Sequence, residues 1–144
     1  MRLDAFRGEW TIARAIEDVR QARTGRFDGR AAFVPAPTGL AYREEGQLVL
    51  DGVAYAATRD YLWRDGGAGT IEVLFPDGRL FHRFYADEER PAAVHDCGAD
   101  QYRVRYDFRR WPRWRAEWRV RGPRKDYGIV SDYRPAGQVG ETAA

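Results

Sequence analysis

Cysteine, lysine and long apolar runs are nearly absent from this chain of 144 residues. Cys97 is the one cysteine, so no disulfide can form within the chain. No stretch approaches the roughly 18 consecutive apolar residues of a membrane helix, and the first ten residues carry charges where a signal peptide needs an apolar run. We therefore expect a soluble, cytoplasmic protein without a membrane partner.

A strong excess of charge of either sign is also missing. The 24 basic residues nearly balance the 22 acidic ones, giving a formal net charge of +2, and Lys125 is the one lysine. A nucleic-acid-binding domain usually has a larger basic excess. In the arginine-rich stretch 109–124, Trp114 and Trp118 alternate with the arginines and face the other way, so we expect no nucleic-acid partner.

Aromatic residues are abundant, at 14% of the chain, and they favour strands. Alternation is clearest at 102–108, where Tyr102, Val104, Tyr106 and Phe108 share one face, and it recurs at 114–121. Further strands are predicted at 9–16, 27–34, 39–44, 47–50, 54–63, 69–75, 80–85, 92–97 and 126–134. Residues 17–24 are predicted to form a turn of helix, and Asp51-Gly52, Asp65-Gly66 and Asp77-Gly78 are hairpin signals.

About ten short strands in one domain, residues 1–135, predict an all-β protein whose single antiparallel sheet closes into a barrel. Closure removes exposed sheet edges and leaves room inside for a ligand. Residues 136–144 are small and polar, which predicts a disordered tail.

Several segments resemble known families. Gly8-Glu9-Trp10 resembles the Gly-x-Trp start of lipocalins and other calycins. An ordered set is similar to the bacterial domain-of-unknown-function family six-three-one-four: Tyr42-Arg43-Glu44-Glu45-Gly46, Arg59-Asp60-Tyr61-Leu62-Trp63, Phe75-Pro76-Asp77-Gly78-Arg79-Leu80-Phe81-His82, His95-Asp96-Cys97-Gly98-Ala99-Asp100-Gln101-Tyr102 and Gly122-Pro123-Arg124-Lys125-Asp126-Tyr127. The resemblance implies a calycin-like, lipocalin-type barrel but no activity. It also implies that Trp10 closes one barrel end beneath a basic residue, for which Arg124 or Lys125 is the candidate.

A small-molecule binding site is the first functional hypothesis. Arg59, Tyr61 and Trp63 share a face, and an inward-pointing Arg59 would need a carboxylate such as Glu44 or an anionic ligand. Such a pocket suits a small hydrophobic or amphipathic molecule, and an anionic one is included. The predicted ligand-binding residues are Glu44, Arg59, Tyr61, His82, His95, Tyr102, Trp118 and Lys125.

A small enzyme, an isomerase, cyclase or hydrolase, is the alternative. His82 or His95 would act as general base, with Asp100 as its orienting carboxylate and Cys97 as a candidate nucleophile. If the strands of the two histidines are neighbours, their rings can approach. Two histidines and one cysteine match no zinc pattern, so no metal is expected. No cofactor is expected either. The chain resembles the nitrobindins, a calycin branch that holds haem through a histidine, but its sequence contains no haem-binding motif. A third hypothesis is that aromatic rings fill the barrel interior and that the protein has a structural or protein-binding role.

Overall fold

One antiparallel sheet of ten strands makes up almost the whole molecule. The structure is a computed structural model and describes residues 1–137, so most of the predicted disordered tail, from residue 138, lies outside the described residues. A short 3-10 helix (Leu3–Phe6) precedes the strands β1 (Gly8–Asp18), β2 (Arg23–Ala36), β3 (Gly39–Leu50), β4 (Val53–Gly67), β5 (Thr70–Leu74), β6 (Leu80–Tyr85), β7 (Ala92–Cys97), β8 (Asp100–Asp107), β9 (Trp114–Gly122) and β10 (Lys125–Pro135).

The sheet curls into a nearly closed barrel, which confirms the predicted fold class. The strand order is β6-β5-β4-β3-β2-β1-β10-β9-β8-β7, so the first and last strands pair at its centre. The outermost strands, β6 and β7, come together without forming a hydrogen-bonded ladder. This line of contact is called the seam below. No helix among the described residues is long and apolar enough to cross a bilayer.

Two sequence predictions about where strands end were wrong. The segments 39–44 and 47–50 form one strand, because Gly46 does not make a turn but pairs with Gly29 of β2. The two strands pack closely there, since a Cβ on Gly46 would lie 2.4 Å from the carbonyl oxygen of Asp28. Residues 17–24 form no helical turn. Instead β1 and β2 extend to Asp18 and Arg23 and are joined by a tight turn in which Ala22 has a φ of 53°.

The hairpin signals were correct at two places of three. Asp51-Gly52 joins β3 to β4 as a two-residue turn, and Asp77-Gly78 lies between β5 and β6. Asp65-Gly66 is instead inside β4, at a bulge where the Gly67 amide donates to Asp65 Oδ1 at 2.7 Å. The turn follows a few residues later.

An aromatic cluster closes one end of the barrel. Phe6, carried inward by the 3-10 helix, is 0% exposed and contacts the rings of Phe33, Trp63, Phe108, Trp111 and Trp114. Trp10 also packs there, and its indole N–H donates to the carbonyl oxygen of Phe6 at 2.8 Å. We call this group of seven rings the aromatic plug.

Trp10 does close this end, but the prediction that Arg124 or Lys125 lies above it was wrong, because Lys125 begins β10 and Arg124 directly precedes it. Trp10 pairs with Pro135 at one end of β10, whereas Lys125 lies at the other end of that strand. There the Lys125 ammonium group is 5.6 Å from the centroid of the Tyr102 ring. The resemblance therefore held for the tryptophan and failed for the cation.

The opposite end of the barrel is open. Along β10 the inward side chains change from buried Tyr133 and Ser131 to half-exposed Ile129 and Tyr127. The short strand β5 covers β4 only from Leu62 onward, which leaves a wide gap on that side. We call this open end the mouth.

Candidate ligand-binding cavity

A cavity of about 420 Å³ lies between the mouth and the aromatic plug. Seven of the eight predicted ligand-binding residues line it: Glu44, Arg59, Tyr61, His82, His95, Tyr102 and Trp118. Lys125 does not line it and instead donates to the Tyr102 hydroxyl at 3.1 Å. A larger concavity lies on the outer face of the sheet, but it is an open groove between exposed side chains of both charges, such as Arg103 and Glu17. The cavity inside the barrel is the better candidate site.

A buried ion pair forms the floor of the cavity. Arg14 on β1 donates to both carboxylate oxygens of Glu44 on β3, at 2.6 and 3.0 Å, and its Nε donates to Ser131 Oγ on β10 at 2.7 Å. Glu44 is only 4% exposed. Bidentate geometry with additional hydrogen bonds is what allows such a pair to remain charged in the interior.

Two tyrosines complete this floor network. Tyr42 donates its hydroxyl hydrogen to Glu44 Oε1 at 2.5 Å and lies 3.0 Å from the Tyr133 hydroxyl. Burial favours a neutral carboxyl group, but the hydrogen bonds from Arg14 outweigh it and lower the pKa of Glu44. Burial raises the pKa of Tyr42 well above its usual value. The network thus holds one cation, one anion and neutral phenols at neutral pH.

Sequence reasoning placed the buried cation on the wrong strand. Arg59 does lie directly across from Glu44 and on the cavity face, but it is exposed, and its one side-chain hydrogen bond among the described residues is to the Tyr61 hydroxyl, at 3.5 Å. Arg14 takes the role assigned to it. The signal was available, because Arg14 continues the inward alternation of Trp10 and Ile12 along β1.

His82 is buried beside the seam. It is 4% exposed, and its Nε2 lies 2.7 Å from the Tyr106 hydroxyl. Its Nδ1 is buried with no hydrogen-bond partner in the described part of the chain. Burial, and then the nearby His95, lowers the pKa of His82 to about 3, so the ring is neutral at physiological pH. A group this weakly basic is poorly suited to take up a proton from a substrate.

His95 lies across the seam from His82, at the mouth. The sequence analysis expected the two rings to approach if their strands were neighbours in the sheet. Their strands, β6 and β7, meet at the seam but form no hydrogen-bonded ladder. Both pack against Phe81 between them, His82 with a centroid separation of 4.7 Å and His95 with 5.3 Å. His95 is half-buried and also contacts the ring of Tyr102.

The other catalytic candidates do not join the histidines in one cluster. Asp100 does not orient an imidazole but forms a salt bridge with Lys125, with 3.1 Å between Asp100 Oδ2 and Lys125 Nζ. Cys97 lines the mouth and is exposed. Catalytic roles for these residues stay predictions. Within residues 1–137, no group of three or more histidine, cysteine or acidic side chains is placed to hold a metal ion.

The fold and the cavity together define a lipocalin-like antiparallel barrel with a cavity of about 420 Å³ in its interior. The chain belongs to the family of unknown function DUF6314, whose model matches residues 6–135. No curated protein matches it.

Two solved structures are similar to this chain in fold. An S-type phycobiliprotein lyase, CPES from Guillardia theta, superposes with a TM-score of 0.65 over 92% of this chain and 89% of its own, at 8% sequence identity. A redesigned beta barrel, mFAP1, bound to DFHBI, matches with a TM-score of 0.44 and 10% identity, covering 92% of this chain and 97% of its own. At 8% identity, the likeness to the lyase concerns the fold alone.

Proposed function

We propose that the barrel binds one small, mainly apolar or amphipathic molecule, which enters through the mouth and lies on the Arg14–Glu44 floor. The observation that carries this proposal is the cavity itself. Its volume of about 420 Å³ falls within the roughly 300–1,000 Å³ of small-molecule sites. An interior filled by its own side chains would leave no such space.

The walls near the mouth suit a flat apolar group. Phe81 and Trp118 are stacked with a centroid separation of 5.0 Å and an interplanar angle of 9°, and Tyr61 also stacks on Phe81 with a centroid separation of 5.7 Å. Tyr102 meets Phe81 edge-on. Aromatic rings favour offset stacking and edge-to-face contacts, so a planar ligand would gain such contacts with several walls.

The floor favours a hydrogen-bond acceptor at the inner end of the ligand. The charges of Arg14 and Glu44 neutralise each other, so the floor does not demand a charged ligand. Arg14 Nη1 carries two hydrogens and makes one hydrogen bond in the described chain. Trp114 Nε1, a pure donor, is buried and has no hydrogen-bond partner among the described residues. The Trp114 ring stacks on Tyr133 of the same network with a centroid separation of 3.8 Å. Unused donors at one end support an acceptor such as a carbonyl oxygen there.

Binding is better supported than base catalysis. The low pKa of His82 makes it a poor base, and Asp100 pairs with Lys125 and does not orient His95. A preorganised floor that is already hydrogen-bonded needs no rearrangement to receive a ligand.

Native mass spectrometry of the purified protein, followed by titration with 1-anilinonaphthalene-8-sulfonate, tests the proposal. We expect a bound small molecule in the first measurement or saturable one-to-one binding of the probe in the second. Ala57→Phe places a ring in the half-buried cavity wall and should weaken probe binding at least tenfold. Ala13→Phe, on the exposed outer face of β1, is the matched control and should leave binding unchanged. Equal probe affinity in both variants would refute an interior site.

A further inference from the structure

One stretch of sheet edge in this barrel is left uncovered. Strand β4 runs from Val53 to Gly67, but its ladder with β5 begins only at Leu62. Residues 53–60 therefore pair with β3 on one side and with no strand among the described residues on the other. Seven of the first eight side chains of β4 are exposed, with Val53 and Tyr55 each at 51%, and no described element covers them.

The first six residues of the uncovered edge lack the features that prevent strand pairing, and the charged Arg59 and Asp60 follow them. Residues 53–58 read Val-Ala-Tyr-Ala-Ala-Thr, with no charge, proline or glycine. Natural proteins protect edge strands with charged side chains, prolines or bulges, since free backbone N–H and C=O groups are a template for another strand. By contrast, the β7 edge contains Asp96 and follows Pro91. The β4 edge is thus open to a partner strand.

The turn before β4 determines which backbone groups are free. Asp51 and Gly52 have φ values of 49° and 79°, as in a two-residue type I′ turn, which makes Leu50 and Val53 a hydrogen-bonded pair. Because such pairs alternate along an antiparallel ladder, Tyr55 also bonds to β3, and the N–H and C=O of Ala54 and Ala56 point outward.

We propose that this edge pairs antiparallel with the same edge of a second copy of the chain, with Tyr55 facing its symmetry mate on the two-fold axis. Ala54 of each copy then lies opposite Ala56 of the other, so the outward backbone groups meet and exchange hydrogen bonds. Such an isologous contact closes on itself and stops at a dimer.

Charge complementarity selects this partner and this register. With Tyr55 on the axis, Arg59 lies level with the turn before β4 of the other copy, where Asp51 is located, and the same contact forms twice. Arg59 forms no salt bridge within residues 1–137. Asp51 is 63% exposed, and its salt bridge to Arg23 of its own chain is long, at 3.6 Å, so its carboxylate can also meet a second cation. A shift that puts Ala56 on the axis would place Arg59 opposite Val53 instead. Arg59, which forms no salt bridge within its own barrel, would thus pair with Asp51 across this interface.

Disulfide trapping in solution tests the register. On the axis, Tyr55 would form a non-hydrogen-bonded pair with Cα atoms about 4.5 Å apart, within the range for a disulfide. In a Cys97→Ser background, we expect Tyr55→Cys to form a covalent dimer under mild oxidation. Val53→Cys, equally exposed and two residues away, faces Ala57 of the partner and should remain uncrosslinked. Equal crosslinking at both positions, or none at Tyr55→Cys, would overturn the proposal.

Sedimentation equilibrium of the unmodified chain tests the interface itself. We expect twice the 16.6 kDa mass of one chain, and a single-chain mass at all concentrations would overturn the proposal. Ala56→Pro removes an outward N–H without breaking the β3 ladder and should abolish the dimer. Arg59→Glu should weaken it at least tenfold, and adding Asp51→Lys should restore it. Arg26→Glu, an exposed change of the same charge on β2, should have no effect. A dimer that survives Ala56→Pro would show that another surface holds it.

Discussion

Replacing Arg14 with methionine should destabilise the barrel far more than the loss of an exposed arginine. The substitution leaves the Glu44 carboxylate, which is buried and held by Arg14 at 2.6 and 3.0 Å, without its cation. Breaking a buried ion pair in this way costs about 3–5 kcal/mol. An unfolding entropy of about 2.1 cal/mol/K per residue, over 144 residues, converts this into a Tm lower by roughly 10–17 °C.

Thermal unfolding followed by circular dichroism at several pH values measures this effect and its cause. In the native protein the pKa of Glu44 is lowered, so its contribution to stability is present above the pKa of an unfolded glutamate and is lost as the pH falls through the folded value. Without Arg14, burial raises the pKa of Glu44 and the group becomes neutral in acid. The difference in Tm between the two proteins should therefore shrink from pH 7 to pH 4.

Two further variants isolate the pair. Arg14→Met combined with Glu44→Gln should cost less than the sum of the single changes, because no charge is left stranded. Arg115→Met breaks the salt bridge to Asp132 on the outer face, where both side chains are about half exposed, and should cost no more than about 1 kcal/mol. A loss at Arg14 as small as that at Arg115, or additive single changes, would refute the buried pair.

Three other outcomes follow from the structure. The pKa of His82 is lowered to about 3, so its stabilising contribution is present above the unfolded value near 6.5 and is lost below it, by up to about 1.4 kcal/mol per pH unit; His82→Gln should flatten the fall in Tm from pH 7 to pH 5, whereas an unchanged slope would contradict a buried neutral ring. Phe6→Ala should lower the free energy of unfolding in urea by about 3–5 kcal/mol, against less than about 0.5 kcal/mol for exposed Val19→Ala, and similar losses would argue against the plug. Cys97 should react with Ellman's reagent in the folded protein at nearly the rate of the unfolded chain, and protection from the reagent would contradict its exposure.

Much of the fold could be predicted because the side-chain alternation is regular. Tyr102, Val104 and Tyr106 all face inward as their spacing requires, and Asp51-Gly52 marks a hairpin by its own backbone preference. Gly46 misled the prediction because a glycine that allows close strand packing and a glycine that makes a turn look the same in sequence. Only the neighbouring strand distinguishes them.

The site was harder to predict than the walls around it. Seven predicted residues do line the cavity, because inward alternation identifies a face. The pairing of Glu44 with Arg14 depends on how strands 30 residues apart come together, and local spacing does not contain that information. Likewise, the sequence could not show that β6 and β7 meet without a ladder, and this decides how His82 and His95 are related.

The position of the aromatic plug at one end and the mouth at the other separates two demands that many proteins must meet with the same side chains. Rings such as Phe6 and Trp114 hold the barrel together far from the opening, where Tyr61, Trp118 and Cys97 stand half exposed or exposed. Under the proposed function, changes at the mouth should thus alter which ligand is bound at little cost to folding, which makes this scaffold a practical starting point for evolving new receptors.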